Sequence, residues 1–359
     1  MGRVRSFTSD DIPQVVSLRQ KCFRHSAQGS EKKQRDYFQN IFFESPWCND
    51  SFPSLVCEEK DGTIVGFLGS LSRPISLRGE KLWMATPTQL MSDPAHRGMS
   101  GFQLMKTFLA GPQDFSLADV AASGPRDIWE RLGGTTAVLQ SLFWTRPLRP
   151  CRLLPRDFGL SRAASVLVKA TYPLCAAMDS ALARTAGSPY YQAESGLEER
   201  VLNVQGLLEC YDSLERRFSL VPAYEPATLQ WLLQALEDSS PENSLRQVVL
   251  HDVDGHVVGW YLYFPSAGGV AQTVQVGANT ADQGRVLQHL YHDAWKRGCL
   301  AISGRVQPEF LSCVAQPPGR VVRSGPWTLV HSTNSELLQQ VCRGDAWLTR
   351  LEGEWWLNF

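Results

Sequence analysis

The chain has 359 residues, which is enough for two domains, and its 43% hydrophobic residues provide enough apolar material for two cores. Its formal net charge of −1 lacks the basic surplus typical of nucleic-acid-binding proteins. The sequence has no apolar run long enough to span a bilayer, and no secretory signal at its start. Nine cysteines without C-x-x-C spacing suit reduced thiols. We therefore expect a cytoplasmic protein with no nucleic-acid partner and no stable membrane insertion.

The first 145 residues alternate between predicted strands and helices. Period-2 and period-3.6 patterns, with turn and cap residues between them, predict the following elements in chain order: a strand at 4–7, a helix beginning near Pro13, a helix near 32–43, a hairpin of strands 55–59 and 64–70 around Asp61-Gly62, a strand run from 77 to 91, a helix at 102–109, a strand at 115–120 and a helix at 126–132. A Gly-rich turn, Asp93–Gln103, separates the strand ending at residue 91 from the next helix. Such a strand–turn–helix junction directs backbone N–H groups and a helix dipole at one point, which favours a bound phosphate.

The junction resembles the pyrophosphate loop of the GNAT family of acyl-CoA-dependent N-acyltransferases. The family's lead-in, V-x-P-x-x-R-G, is similar to Asp93-Pro94-Ala95-His96-Arg97-Gly98, whereas Ser100 and Phe102 stand where the family has glycine or alanine. A second similarity is Ile128–Gly134, which resembles the family's L-Y-E-K-L-G-F. The order of elements over residues 1–145 is also that of a GNAT domain.

The resemblance implies an acyl-CoA co-substrate, acetyl-CoA or another acyl-CoA. Its pyrophosphate would be held by the loop residues Arg97, Gly98, Met99, Ser100, Gly101 and Phe102. The strand before the loop supplies the base and the carbonyl-binding backbone in this family, and the candidates here are Glu80, Thr88 and Gln89. The family's usual acid is a Tyr, and Trp129 stands in its place. An indole N–H donates a hydrogen bond but not a useful proton, so either water protonates the departing thiolate or the acid comes from elsewhere.

The rest of the chain is predicted to contain a linker and a second domain. Residues 146–196 are Pro/Arg-rich and then Ala-rich, which predicts a surface segment followed by a buried connecting helix broken at Pro173. From residue 197 to 359 the early order of elements recurs, ending in a helix near 335–342 and C-terminal strands. Its equivalent loop, Gly277–Arg285, lacks the Arg-x-x-Gly core. The expected fold is therefore α/β (α+β), with two mixed-sheet GNAT-like domains at 1–145 and 197–359 joined by a helical linker.

One further cluster contains residue types that bind metals. His289-x-x-His292-Asp293 has metal-compatible spacing on one helix face, but no third ligand is apparent, so surface or packing histidines are favoured. We expect no bound metal.

These patterns indicate transfer of an acyl group, most simply acetyl, from CoA to an amine of a small molecule or amino sugar. Two alternatives stay open. A catalytically silent acyl-CoA sensor or assembly protein would tolerate Trp129. A FemAB-like aminoacyl transferase also pairs two GNAT-like domains, although the second half lacks a basic tract.

Overall fold

The structure, a computed structural model, describes residues 2–23, 30–96, 99–157, 162–240 and 244–357, with side chains in these ranges except at 96, 154–157 and 162–170. The helices are α1 (Ile12–Cys22), α2 (Glu31–Phe42), α3 (Met99–Leu109), α4 (Ser123–Arg131), α5 (Pro150–Asp157), α6 (Arg162–Arg184), α7 (Val204–Leu214), α8 (Pro226–Asp238), α9 (Gln283–Lys296), α10 (Leu311–Val314) and α11 (Ser335–Arg343). The strands are β1 (Arg3–Ser6), β2 (Leu55–Glu58), β3 (Ile64–Leu77), β4 (Glu80–Ser92), β5 (Phe115–Ala121), β6 (Thr135–Thr136), β7 (Phe143–Pro147), β8 (Glu198–Val201), β9 (Leu220–Pro222), β10 (Arg246–His251), β11 (Val257–Phe264), β12 (Val270–Ala278), β13 (Ala301–Arg305), β14 (Arg320–Val322) and β15 (Trp327–His331). The predicted mixed α/β class is confirmed.

The chain divides into two compact units that are each discontinuous in sequence. Unit 1 comprises Met1–Val138, Tyr211–Ser239 and Pro326–Phe359, and unit 2 comprises Leu139–Cys210 and Ser240–Gly325. These bounds differ from the consecutive predicted domains. The difference arises from two strands: β15 pairs with β5 in unit 1, and β7 pairs with β13 in unit 2. Each sheet therefore contains a strand from the other half of the sequence.

The sheet of unit 1 contains an opening between two parallel strands. Its order is β1-β2-β3-β4-β5-β15-β6, with β9 added to β3. The parallel pairing of β4 with β5 covers Met84–Phe115 and Ala85–Ser116 and then ends. Beyond these pairs, β4 remains bound to β3 and β5 to β15. The two strands thus separate at their carboxyl ends.

A glycine in β3 lets α3 approach this opening. A Cβ placed on Gly66 would lie 2.9 Å from Leu104 Cδ1 and 3.2 Å from Ser100 Cβ. Gly66 also pairs with Ser92 at the carboxyl end of β4. Because Gly66 has no side chain, the first turn of α3 can pack closely against the sheet beside the end of β4.

The sheet of unit 2 repeats this arrangement. Its order is β14-β7-β13-β12-β11-β10-β8. β12 and β13 are parallel and pair from Val270–Ala301 to Gln272–Ser303. As in unit 1, the parallel pair is followed by an antiparallel strand from the other half of the chain.

Two predicted elements differ from the structure. α6 runs through Pro173 without a break, and in its described part Tyr172, Leu174 and Met178 are exposed rather than buried. A proline removes one helical hydrogen bond, which the rest of this 23-residue helix outweighs. None of the described helices combines the length and hydropathy needed to cross a membrane.

The run after α11, predicted to form strands, instead forms a single bridge at Ala346 and a 3-10 helix at Trp355–Leu357. Side chains replace strand partners here. The Glu352 carboxyl accepts hydrogen bonds from the backbone N–H and hydroxyl of Thr349, which bends the chain. Arg73 then donates to backbone carbonyls of this bent segment.

Candidate active site

A cavity of about 230 Å³ lies where β4 and β5 of unit 1 separate. Its walls come from β4, β5, α3, α4, β15 and the segment after α11, and most of them are apolar. The polar side chains among its described lining residues are Thr88, Gln89, Trp129 and Glu354, and Glu354 provides their one carboxyl group. An apolar cleft with a few convergent polar groups is the usual form of a small-molecule site.

A β-bulge shapes the β4 wall of this cleft. Phe67 pairs with Met91 and Gly69 with Thr88, so two β4 residues, Gln89 and Leu90, lie opposite a single β3 residue. Gln89 has a φ of +51°, which is strained for a residue with a side chain. Strain of this kind persists only where the surroundings hold it.

Hydrogen bonds fix the Gln89 side chain at the bulge. Its Nε2 donates to the hydroxyl of Tyr37 on α2, and that hydroxyl donates to the Leu357 carbonyl at 3.2 Å. The Gln89 Oε1 is buried and has no hydrogen-bond partner within the described residues. The cleft thus keeps a fixed acceptor beside Thr88.

Glu354 is the titratable group of the cleft. Its side chain is hydrogen-bonded to Thr88, and its backbone N–H donates to Asp119 Oδ1 at 2.6 Å. Burial, reinforced by the nearby Asp119 charge, raises the pKa of the Glu354 carboxyl well above its ordinary value, although the Thr88 hydrogen bond opposes the shift. A carboxyl whose pKa is raised in this way holds a proton more readily than a free carboxyl, which suits a group that accepts a proton from a ligand.

The segment that carries Glu354 is anchored by a buried arginine. Arg73 is 1% exposed, donates to the carbonyls of Leu351 and Gly353 at 3.0 Å each, and lies 4.1 Å from the Trp47 ring centre. Glu352, in the same segment, also accepts a hydrogen bond from Tyr224 at 3.1 Å, and burial raises the pKa of its carboxyl. These contacts fix the backbone on both sides of Gly353.

The sequence interpretation missed Glu354, although one signal was present. Glu352-Gly353-Glu354 is followed directly by Trp355-Trp356 in an apolar run. Carboxylates within apolar runs are rarely buried unless they are paired or functional. That pattern favours a functional carboxylate in this segment but does not indicate which strands of the sheet the segment packs against.

The structure brings two of the three predicted catalytic residues to the cleft. Thr88 is buried and Gln89 is half-buried, and both line it. Glu80 is exposed at the opposite end of β4, where it pairs with Leu77. It is eight residues ahead of Thr88, roughly 26 Å along an extended strand. The structure does not bring Glu80 to the cleft.

The predicted pyrophosphate loop is described in part. Arg97 and Gly98 lie outside the described residues. Met99 is exposed at the start of α3, and Phe102 is also exposed, so its ring does not enter the core. A Cβ on Gly101 would meet no other atom within 4 Å, which leaves room for close approach to the helix backbone.

Ser100 faces inward rather than toward a phosphate. Its side chain is 3% exposed, and its hydroxyl is hydrogen-bonded to the Ser92 hydroxyl at the end of β4. This contact ties α3 to β4. Backbone N–H groups of the first turn of α3 remain the donors that this helix end offers.

Trp129 has a structural role in α4. Its ring is fully buried, and its indole N–H donates to the Val330 carbonyl at 3.0 Å. A Cβ on Gly134 would lie 2.1 Å from this ring, so the ring fits only because residue 134 has no side chain. The N–H is committed to β15, in agreement with the expectation that Trp129 is not the acid.

The corresponding opening in unit 2 is filled by a side chain. The Gln307 Oε1 accepts the Val276 backbone N–H at 2.9 Å, and its Nε2 donates to the Val276 carbonyl at 2.8 Å. Beyond the end of the β12–β13 pairing, the Gln307 amide thus provides the hydrogen-bond partners that the Val276 backbone would otherwise lack. Gln307 is 9% exposed, so this pairing is part of the core of unit 2.

The histidines of α9 do not assemble a three-ligand group within the described part of the chain. His289 is 3.1 Å from the Tyr261 hydroxyl, and burial lowers the pKa of its imidazole. The side chains that do come together are Asp252, Asp254 and His256 on an exposed hairpin turn, where such acidic groups are common without an ion.

Comparison with known proteins finds a family model that matches part of the chain, and solved structures with a similar fold. Residues 3–113 match the model of the acetyltransferase (GNAT) domain. A GCN5-related N-acetyltransferase from Anabaena variabilis is similar in structure, with a TM-score of 0.58, 15% identity, and coverage of 93% of this chain and 74% of that one. One from Kribbella flavida has a TM-score of 0.58, 13% identity and coverage of 93% and 72%. An N-myristoyltransferase from Saccharomyces cerevisiae with bound myristoyl-CoA has a TM-score of 0.50, 11% identity and coverage of 92% and 78%.

No curated protein sequence matches this chain. The class defined by these matches is the GNAT acyltransferase fold. The chain contains a GNAT domain, and the predicted recognition is confirmed.

Proposed function

We propose that the protein is an acyl-CoA-dependent N-acyltransferase with its reaction centre in the cleft of unit 1. The observation that carries the proposal is the Glu354 carboxyl, which is buried, hydrogen-bonded to Thr88 and perturbed toward protonation in an apolar cleft between β4 and β5. The filled opening of unit 2 supports a single centre. The acyl-CoA co-substrate and the amine acceptor are inferred from the family.

The pyrophosphate of the co-substrate would bind at the start of α3. The first N–H groups of this 11-residue helix lack helical partners, and the helix dipole favours negative charge there. Arg97, by its position in the sequence, would add a positive charge. We expect Arg97→Glu to abolish acyl-CoA binding; retained binding would refute this placement.

The chemistry assigned to the chain's own residues is proton transfer. An acceptor amine enters as an ammonium, and Glu354 takes its proton while Thr88 orients the carboxylate. Glu354 passes this first proton to solvent. The neutral amine then attacks the thioester carbonyl, so a C–N bond forms; the nitrogen gives its surplus proton to Glu354, and the C–S bond breaks. The protonated Glu354 can return the proton to the departing thiolate, which removes the need for an acid at Trp129.

The test is release of thiol from acetyl-CoA and longer acyl-CoAs across a panel of amines and amino sugars. Glu354→Gln keeps the size of the side chain but removes the base, so we expect kcat to fall by about 10²-fold or more. Binding of acyl-CoA, measured by thermal shift, should change little. Acetyl transfer is the expected preference within the panel.

Glu80→Gln is the matched control, because Glu80 lies on β4 but away from the cleft. It should leave thiol release unchanged. If Glu80→Gln abolishes turnover while Glu354→Gln does not, the assignment of the base is wrong.

A catalytically silent acyl-CoA sensor is the second candidate, favoured by the commitment of the Trp129 indole to Val330. It predicts a thermal shift with acyl-CoA and no thiol release with any amine. No thermal shift at saturating ligand would contradict both candidates.

A further inference from the structure

Unit 2 contains a cavity of about 390 Å³ against one face of α9, and its described lining residues include none from the parallel strands β12 and β13. The helix contributes Gly284, Leu287 and Tyr291, which are three and four residues apart. Arg146 of β7 also lines the cavity. The described lining residues include no aspartate or glutamate.

Arg146 carries a positive charge that no acidic side chain balances. Its guanidinium donates to the carbonyls of Gln316 at 3.5 Å and Pro189 at 3.3 Å, which are long contacts with neutral acceptors. It forms no ion pair with any described carboxylate, and burial lowers the pKa of its guanidinium. A partly buried charge without a counter-charge is unfavourable unless something else compensates it.

Tyr291, which also lines this cavity, carries a second hydrogen-bond donor. It is 7% exposed, yet its hydroxyl has no hydrogen-bond partner within the described residues. Its ring centre lies 4.7 Å from the Arg146 guanidinium carbon. Buried hydroxyl groups almost always have partners, so an exception beside a cavity indicates a ligand.

We propose that this cavity binds a small organic molecule through one oxyanion group, a carboxylate or a phosphate monoester, held by Arg146 and Tyr291. The planar guanidinium matches such oxyanions in a two-pronged geometry. The phenol supplies a further donor, while Leu287 and Pro189 contact the apolar body. The cavity volume lies in the usual range for small-molecule sites.

This site does not depend on acyl transfer in unit 1, and its test does not use turnover. The full chain is titrated by calorimetry in a buffer free of carboxylate and phosphate. Benzoate and phenyl phosphate probe the two oxyanion sources, inorganic phosphate probes the anion alone, and benzyl alcohol is the uncharged control. We expect binding of benzoate or phenyl phosphate, and none of benzyl alcohol.

Two variants locate the binding. Arg146→Gln should weaken it by about tenfold or more, since the charge-assisted hydrogen bonds are lost. Tyr291→Phe should weaken it several-fold without loss of thermal stability, because the hydroxyl it removes has no protein partner. Tyr291→Phe decides the matter if Arg146→Gln fails to fold.

Arg149→Gln is the matched control. Arg149 also lies in unit 2, donates to a backbone carbonyl (Cys299, 3.1 Å) and stacks on an aromatic ring (Trp295, 4.9 Å), but does not line the cavity. It should leave anion binding unchanged. The proposal is overturned if neither organic anion binds at millimolar concentration, if benzyl alcohol binds equally well, if Tyr291→Phe binds as tightly as the unaltered protein, or if Arg149→Gln weakens binding as much as Arg146→Gln.

Discussion

Replacing Gly353 by alanine tests how the base is held in the cleft. A Cβ at this position would lie 2.1 Å from the Asp119 Cγ and Oδ2 and 2.3 Å from its Oδ1. Asp119 is 4% exposed and accepts the backbone N–H of Glu354 at 2.6 Å, so it cannot move without losing that bond. The clash therefore acts on the contact that positions Glu354.

The cost has two parts. Forcing a methyl group into a packed core costs about 1–3 kcal/mol, and loss of a hydrogen bond to a charged group costs about 1.5–3 kcal/mol. We expect Gly353→Ala to destabilise unit 1 by about 3–5 kcal/mol. Gly124→Ala is the control, because a Cβ there meets nothing within 4 Å, and it should be neutral or slightly stabilising.

The assay is hydrogen exchange of β5 amides in increasing urea, which reports the opening of unit 1 alone. Asp119→Ala removes the atoms that would clash, so Gly353→Ala should cost under about 1 kcal/mol in that background, a strong deviation from additivity. If the two substitutions add to within about 0.5 kcal/mol, the steric reasoning is refuted.

The remaining predictions concern the pH profile, the buried indole and the unit 2 amide. If Glu354 is the base, kcat/KM should rise about tenfold per pH unit below the raised pKa of its carboxyl and then become constant. Glu354→Gln should lack this rise. A flat pH profile for the unaltered protein would contradict the role of Glu354 as the base. Between the unfolded and the raised folded pKa the native state holds a proton that the unfolded chain has lost, so this group's stabilisation should decline as pH rises, and urea titrations of Glu354→Gln should lack that decline. Trp129→Phe removes the hydrogen bond from the indole to the Val330 carbonyl and should cost about 1–3 kcal/mol in β15 exchange, with thiol release altered by less than about threefold; a larger loss of turnover would indicate that Trp129 takes part in the reaction. Gln307→Ala leaves both backbone groups of Val276 unpaired and should cost about 2–4 kcal/mol, measured from hydrogen exchange of the β12 amides. An unchanged exchange rate would argue against this role of the Gln307 amide.

Much of the fold of the first 145 residues follows from local patterns. The Asp61-Gly62 turn lies between β2 and β3, Gly62 has a φ of +84°, and α3 covers the predicted helix 102–109, although it begins earlier, at Met99, within the predicted loop. Turn residues and apolar periodicity act over a few positions, so one sequence suffices to predict them. Thr88 and Gln89 were found because they belong to such a strand.

The rest of the site depends on contacts that local patterns do not encode. Asp119 and Glu354 are hydrogen-bonded across 235 positions, and β15 joins β5 from the other end of the chain. A short apolar strand carries no signal for which sheet it enters. Ser100 shows that local patterns can also fail at short range. Its small polar side chain is compatible with a phosphate contact, but it packs inward, where Gly66 leaves room for it and the Ser92 hydroxyl forms a hydrogen bond with it.

The position of β15 has a consequence for how the protein is made. β5 is complete at Ala121, but its antiparallel partner begins at Trp327, so roughly 200 residues must be synthesised in between, which takes about 10–40 s at 5–20 residues per second. During that interval the β5 edge has no β15 to pair with, and an unpaired edge is a template for association with other chains. A chain that ended after β5 but before Trp327 would leave this edge open permanently.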